Sequence, residues 1–110
     1  IKNGTVTRGW IGVEVQDVTP QLAESFRLPT TQGALVAGVL RHGPADEAGI
    51  QPGDILVKIA DKPVTDTVSM LTLIASLQPN HRAQLTIIRN QREMQMTATI
   101  GMRPKPRLNR

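Results

Sequence analysis

The chain is predicted to be a mainly β domain with two helices, an α+β fold built as a partly open β-sandwich. Three observations lead there. Apolar residues alternate over 10–16, and a continuous apolar run of strand length fills 34–40. Two more strand-like segments, 83–89 and 92–100, are joined at Asn90-Gln91. Two stretches with helical start and stop signals lie between these strands.

The elements follow in order. Over 10–16, Ile11, Val13 and Val15 share one face of a half-buried strand. Thr19 supplies an N-cap and Pro20 the first helical position. Leu22, Ala23 and Phe26 turn inward, and Leu28-Pro29 ends this helix. After the buried strand at 34–40, a turn of helix over 44–48 leads to a strand over 55–60. Asp61-Lys62 makes a turn, and Pro63-Val64 adds a short edge strand, where proline's missing N–H is tolerated. Thr65 or Asp66 caps a helix over 67–77, which stops before Pro79. Asn90-Gln91 forms a two-residue hairpin turn without the preferred glycine at its second place.

Length and composition narrow the classes of function. A chain of 110 residues with 39% hydrophobic content is one folded domain with a modest core. With no cysteine, a disulfide, a thiolate metal site and a thiol nucleophile are all excluded. No apolar run reaches membrane-spanning length. The net charge of +4 resides in Arg103, Lys105, Arg107 and Arg110, because residues 1–100 hold nine basic and nine acidic side chains. A neutral body with one Trp, one Phe and no Tyr lacks the basic, aromatic-lined groove that single-stranded nucleic acid requires. Catalytic candidates also fail. Ser25, Ser69 and Ser76 lack a Gly-x-Ser-x-Gly elbow, and His42 and His81 have no metal-ligand spacing to another His, Asp or Glu. Asp46, Glu47 and Asp54 fall in turns, where capping is their expected role. No catalytic residue, metal or cofactor is expected.

The segment Arg8-Gly9-Trp10-Ile11-Gly12-Val13-Glu14-Val15 is shaped to hold a carboxylate. Gly9 and Gly12 admit positive φ or close backbone approach, so consecutive N–H groups can converge on an anion without a basic side chain. An apolar face beside such a nest suits a peptide with a hydrophobic last residue and a free terminus. Taken alone, the segment reads equally as an ordinary glycine-punctuated strand. The helix over 67–77 offers an opposite wall: Met70, Ile74 and Leu77 form one apolar stripe, Val68, Leu71 and Ala75 a second. One stripe suffices for a core contact, so the extra width either borders a ligand or belongs to the core as well.

The segment 43–56, Gly-Pro-Ala-Asp-Glu-Ala-Gly-Ile-Gln-Pro-Gly-Asp-Ile-Leu, completes the pattern. Pro44 opens a short helix, Gly49 stops it in the left-handed region, and Pro52-Gly53 bends the chain into a buried strand. Together with residues 8–13 and Thr19-Pro20, it resembles the PDZ domain of the HtrA/Deg family of periplasmic, trypsin-like serine proteases, and the resemblance covers roughly residues 6–100. It implies a PDZ-like fold of the circularly permuted bacterial type, with residues 1–7 a linker from an upstream protease domain, 8–100 the PDZ domain and 101–110 a basic flexible tail. It implies that Trp10, Ile11, Gly12 and Val13 receive the carboxylate of a C-terminal peptide, with Arg8 adding attraction. Ile11, Val13, Val15, Met70, Leu71 and Ile74 would line the pocket for its last side chain. The family often carries Tyr or Glu where Trp10 stands, which bears on peptide preference. The implied partners are C-termini of unfolded or mislocalised proteins and a protease domain in the same chain. The implied parent is a homotrimer in the periplasm, membrane-anchored through a segment outside this sequence. A spacer or scaffold module of another protease or of a secretion apparatus is the alternative.

Overall fold

A computed structural model describes residues 9–102. Its elements are β1 (Gly9–Trp10), β2 (Val13–Asp17), α1 (Pro20–Ser25), β3 (Ala34–Val39), α2 (Pro44–Ala48), β4 (Ile55–Ile59), β5 (Lys62–Pro63), α3 (Thr67–Ala75), β6 (Arg82–Arg89), β7 (Arg92–Thr99) and β8 (Gly101–Met102). The main sheet is antiparallel in the order β2-β3-β4-β6-β7, with β5 joined to β4, while β1 pairs with β8 separately. Because β2 ends the sheet, its outer edge has no partner strand among the described residues.

The expected strand over 10–16 is two strands. Gly12 takes φ +77 and breaks the run, so Gly9–Trp10 pairs with Gly101 and Met102 while Val13 begins β2. Alternation of side chains survives such a break, which is why sequence periodicity carried through it. Gly101 and Met102, expected in the basic tail, are therefore a strand; residues 1–8, Arg8 among them, and 103–110 lie outside the described residues. The segment 44–48 is a helix in its own right, making three rather than two among the described residues.

Local signals set most boundaries. The Thr19 hydroxyl accepts from the Leu22 N–H at 3.1 Å, and Pro20 opens α1. Gly49 closes α2 at φ +98. Helix α3 ends two residues before the expected 77, where the Ser76 hydroxyl donates back to the Leu73 carbonyl at 2.6 Å. The turn expected at Asp61-Lys62 sits one residue earlier, on Ala60 (φ +50) and Asp61 (φ +68), which makes β5 Lys62–Pro63. That register buries Val64, 2% exposed. Asn90 and Gln91 both take positive φ, as the mirror-image hairpin turn requires, without a glycine.

The sheet is covered on both faces. Helix α1 brings Ala23 onto Val18, Leu35 and Ile55, with Phe26 and Leu28 packed alongside. On the other face a larger cluster joins Ile11, Val36, Leu56, Met70, Ile74, Leu85, Ile87 and Ile100. Ile11 and α3 thus meet in the main core, and this contact places the loop before β2 beside the helix.

Candidate functional site

The loop before β2 is fixed by its carbonyls. The Ile11 carbonyl accepts from the Ala45 N–H and the Gly12 carbonyl from the Leu40 N–H, each at 2.9 Å. In a trans peptide the carbonyl and the following N–H point in opposite directions. The Gly12 and Val13 amides are therefore turned away from the body that holds the two carbonyls. Among the described residues, no backbone carbonyl accepts from the Ile11 or Gly12 amide. The α2 segment thus does more than mark the fold, because its Ala45 N–H orients the loop.

Position 12 has two reasons to be glycine. Its φ is positive, and a Cβ there would stand 3.2 Å from the Trp10 ring, which is folded over it. The Ile11 side chain is 2% exposed and points into the core, pinning the loop from within.

Between this loop and α3 lies a cavity of about 260 Å³. From the loop side Trp10, Ile11, Gly12 and Val13 line it; from the helix side Met70, Leu71 and Ile74 do. Met70 and Ile74 are 1% and 3% exposed and belong to the main core as well as to the cavity floor. Leu71 and Val68 stand out into solvent. The two apolar stripes of α3 therefore divide the work: Met70, Ile74 and Leu77 pack on the core, and the second stripe is largely left uncovered. Val15 is half-buried against the core and does not line the cavity. Gly9 and Ala75 do line it, though neither was expected as a site residue. Ala75 was visible only as a member of the second stripe, and Gly9 only as a position of close approach.

The groove walls are tied together at the end remote from the loop. Asp66 caps α3, its Oδ1 accepting from the Ser69 N–H at 2.8 Å while the Ser69 hydroxyl accepts from the Asp66 N–H at 3.1 Å. The next residue, Thr67, donates its N–H to Asp17 Oδ1 at 2.9 Å, joining the end of β2 to the start of α3. That bond holds the Asp17 carboxyl below its ordinary pKa.

The acidic residues of the 43–56 segment serve structure. Asp46 Oδ2 accepts from the His42 N–H at 2.9 Å. The Asp54 carboxylate, nearly fully buried, takes a two-pronged ion pair from Arg89 at 2.8 and 2.7 Å and accepts the Gln51 N–H at 2.8 Å. Bonding to Asp54 raises the Arg89 pKa. A larger hollow, about 380 Å³, borders this pair, but both its charged partners are already bonded to each other.

Residues 9–100 match the family model described as the PDZ domain. This chain belongs to the PDZ domain family. Among curated proteins, the PDZ domain is 41% identical to the "Probable periplasmic serine endoprotease DegP-like" of Ectopseudomonas mendocina (strain ymp), over 94% of this chain and 22% of that protein. It is 42% identical to the protein of the same description from Pseudomonas putida (strain W619), again over 94% and 22%. The chain thus spans about a fifth of the length of these relatives. Among solved structures it matches the HtrA-type protease AlgW with decapeptide at TM-score 0.83 and 40% identity, covering 92% of this chain and 31% of that one. The HtrA3 PDZ domain matches at TM-score 0.73 and 23% identity, over 87% and 88%, which supports the fold alone. The expected mainly β PDZ fold and the likeness to HtrA-type proteases both hold.

Proposed function

We propose that this PDZ domain captures hydrophobic C-termini of unfolded or mislocalised proteins, and that it regulates or feeds a trypsin-like serine protease domain in the same polypeptide, in periplasmic protein quality control. One observation carries the reading. The Gly12 and Val13 amides face outward beside an apolar cavity, at the end of a strand whose outer edge has no partner strand among the described residues. An extended peptide can add to the β2 edge, place its carboxylate against those amides and seat its last side chain in the cavity. Charge-assisted N–H bonds to a carboxylate are the stronger kind, and a fully buried apolar side chain contributes about 1.5–3 kcal/mol. After the cost of ordering the peptide, affinity on the order of micromolar follows. The relatives support the protease context, and AlgW has been solved with a decapeptide and with a tripeptide.

The test is a matched pair of peptides ending in Phe, Val or Leu, one with a free carboxylate and one amidated. Isothermal titration should show the amide at least tenfold weaker. Equal affinities would remove carboxylate capture and leave a scaffold or spacer.

A further inference from the structure

A second hollow borders the edge of β2, on the face opposite α3. In a strand successive side chains point to opposite faces, so Glu14 projects away from the side that Val13 and Val15 share. Across the ladder Glu14 is paired with Gly38, and Leu40 is bonded to Gly12. Neither glycine has a side chain, and their absence leaves a cavity of about 440 Å³ bordered by Trp10, Leu40 and Glu14. Leu40 is 53% exposed, unusually open for its size and apolarity. A Glu14 carboxylate oxygen comes within 3.1 Å of where a Cβ on Gly38 would stand, so the acid lies over the cavity floor. The hollow is continuous with the carboxylate loop, since Trp10, Gly12 and Val13 border both cavities.

An extended ligand joined to β2 alternates as β2 does. If its last side chain enters the cavity beside α3, the penultimate one falls on the opposite face, over this second hollow. The hollow offers an indole, an aliphatic side chain and one carboxylate. We infer that it is a specificity subsite for the penultimate residue of the bound peptide, and that it takes a long apolar stem ending in a cation, Arg or Lys. The stem would lie along Leu40, the cation would meet Glu14, and the Trp10 ring would add a cation–π contact. This inference rests on the C-terminal-peptide reading above.

The test uses fluorescence anisotropy at low salt with four peptides sharing one hydrophobic C-terminal residue and differing only in the penultimate residue: Arg, Ala, Glu or Trp. Arg should bind about threefold to tenfold tighter than Ala, and Glu weaker than Ala. In E14Q the Arg-to-Ala ratio should fall below about twofold, with Tm unchanged, because Glu14 is exposed. Moving Arg one place back, to the antepenultimate position, turns it to the other face and should abolish the gain. The inference is overturned if Arg is no better than Ala, if its advantage survives E14Q, or if it follows Arg to the antepenultimate place. A tightest-binding Trp peptide with Arg equal to Ala also overturns it, in favour of a purely apolar subsite. Should free acids bind and amides not, whatever the penultimate residue, this inference falls and the carboxylate reading stands. If no free-acid peptide binds, both fall.

Discussion

Gly9 lies where β1 crosses the end of α3, and a methyl group there would press on the Ile74 carbonyl, stand 2.6 Å from the Leu77 carbonyl and 2.9 Å from Ile100 Cγ2. Backbone cannot yield as a flexible side chain does, so Gly9→Ala should destabilise by about 2 kcal/mol or more in urea unfolding. Close approach, rather than positive φ, is what this position requires. The Arg89–Asp54 pair makes a second prediction by its asymmetry. Asp54 is almost wholly out of water, whereas Arg89 keeps about a quarter of its side chain exposed, at 23%. Arg89→Met therefore strands a buried carboxylate and should cost about 3 kcal/mol. Asp54→Asn should cost less, because the guanidinium can turn to solvent and the amide oxygen can still accept from the Gln51 N–H. Denaturant midpoints of the two variants check the order. Asp54 was legible as a turn residue, but its partner 35 positions later was not, since no local pattern announces a pairing across β4 and β6.

At the scale of elements, α3 is held at its N-terminus by two different acids. Asp66 belongs to the helix's own cap and was among the residues expected there from sequence. Asp17 comes from the end of β2, fifty residues earlier in the chain. Its folded pKa is lowered, so the stability it confers is fully present above the unfolded carboxylate's pKa and is lost as pH falls through the lower folded value. Asp17→Asn should remove that part of the acid-side slope, seen as a flatter dependence of Tm on pH below the ordinary aspartate range. The effect will be small, because Asp17 is exposed to solvent. Helix α2 shows the same mixture of local and distant causes. Pro44 and Gly49 define it from sequence alone, yet its consequence for the site, the bond from Ala45 to the Ile11 carbonyl, depends on where the helix lands.

For the molecule as a whole, the groove is the rim of the core rather than a separate attachment. Met70 and Ile74 close the cavity floor while packing with Ile11, Leu56 and Leu85. Their truncation therefore cannot isolate binding from folding. Met70→Ala should cost about 2–4 kcal/mol in unfolding and reduce peptide affinity with it. Leu71, at 56% exposure on the same wall, separates the two effects. Leu71→Ala should leave stability within about 0.5 kcal/mol and weaken a C-terminal peptide about threefold, read by thermal melting and anisotropy together. A Met70 variant that kept full stability would place it outside the core.

By itself the sequence determined where most strands of the main sheet run, the helix starts at Thr19-Pro20 and Gly43-Pro44, the glycine-rich loop and an apolar helix stripe as its candidate opposite wall. Those are signals of period, cap and backbone freedom, all carried by residues within a few positions of one another. The tertiary structure alone decided that Gly12 splits the first strand, that Gly101 and Met102 pair with Gly9 and Trp10, and that Met70 is core while Leu71 is rim. It also decided which way the loop amides face, because that direction follows from carbonyls anchored by Leu40 and Ala45. Backbone hydrogen bonds carry no side-chain signature, so contacts made between distant segments through the main chain leave the local sequence unmarked.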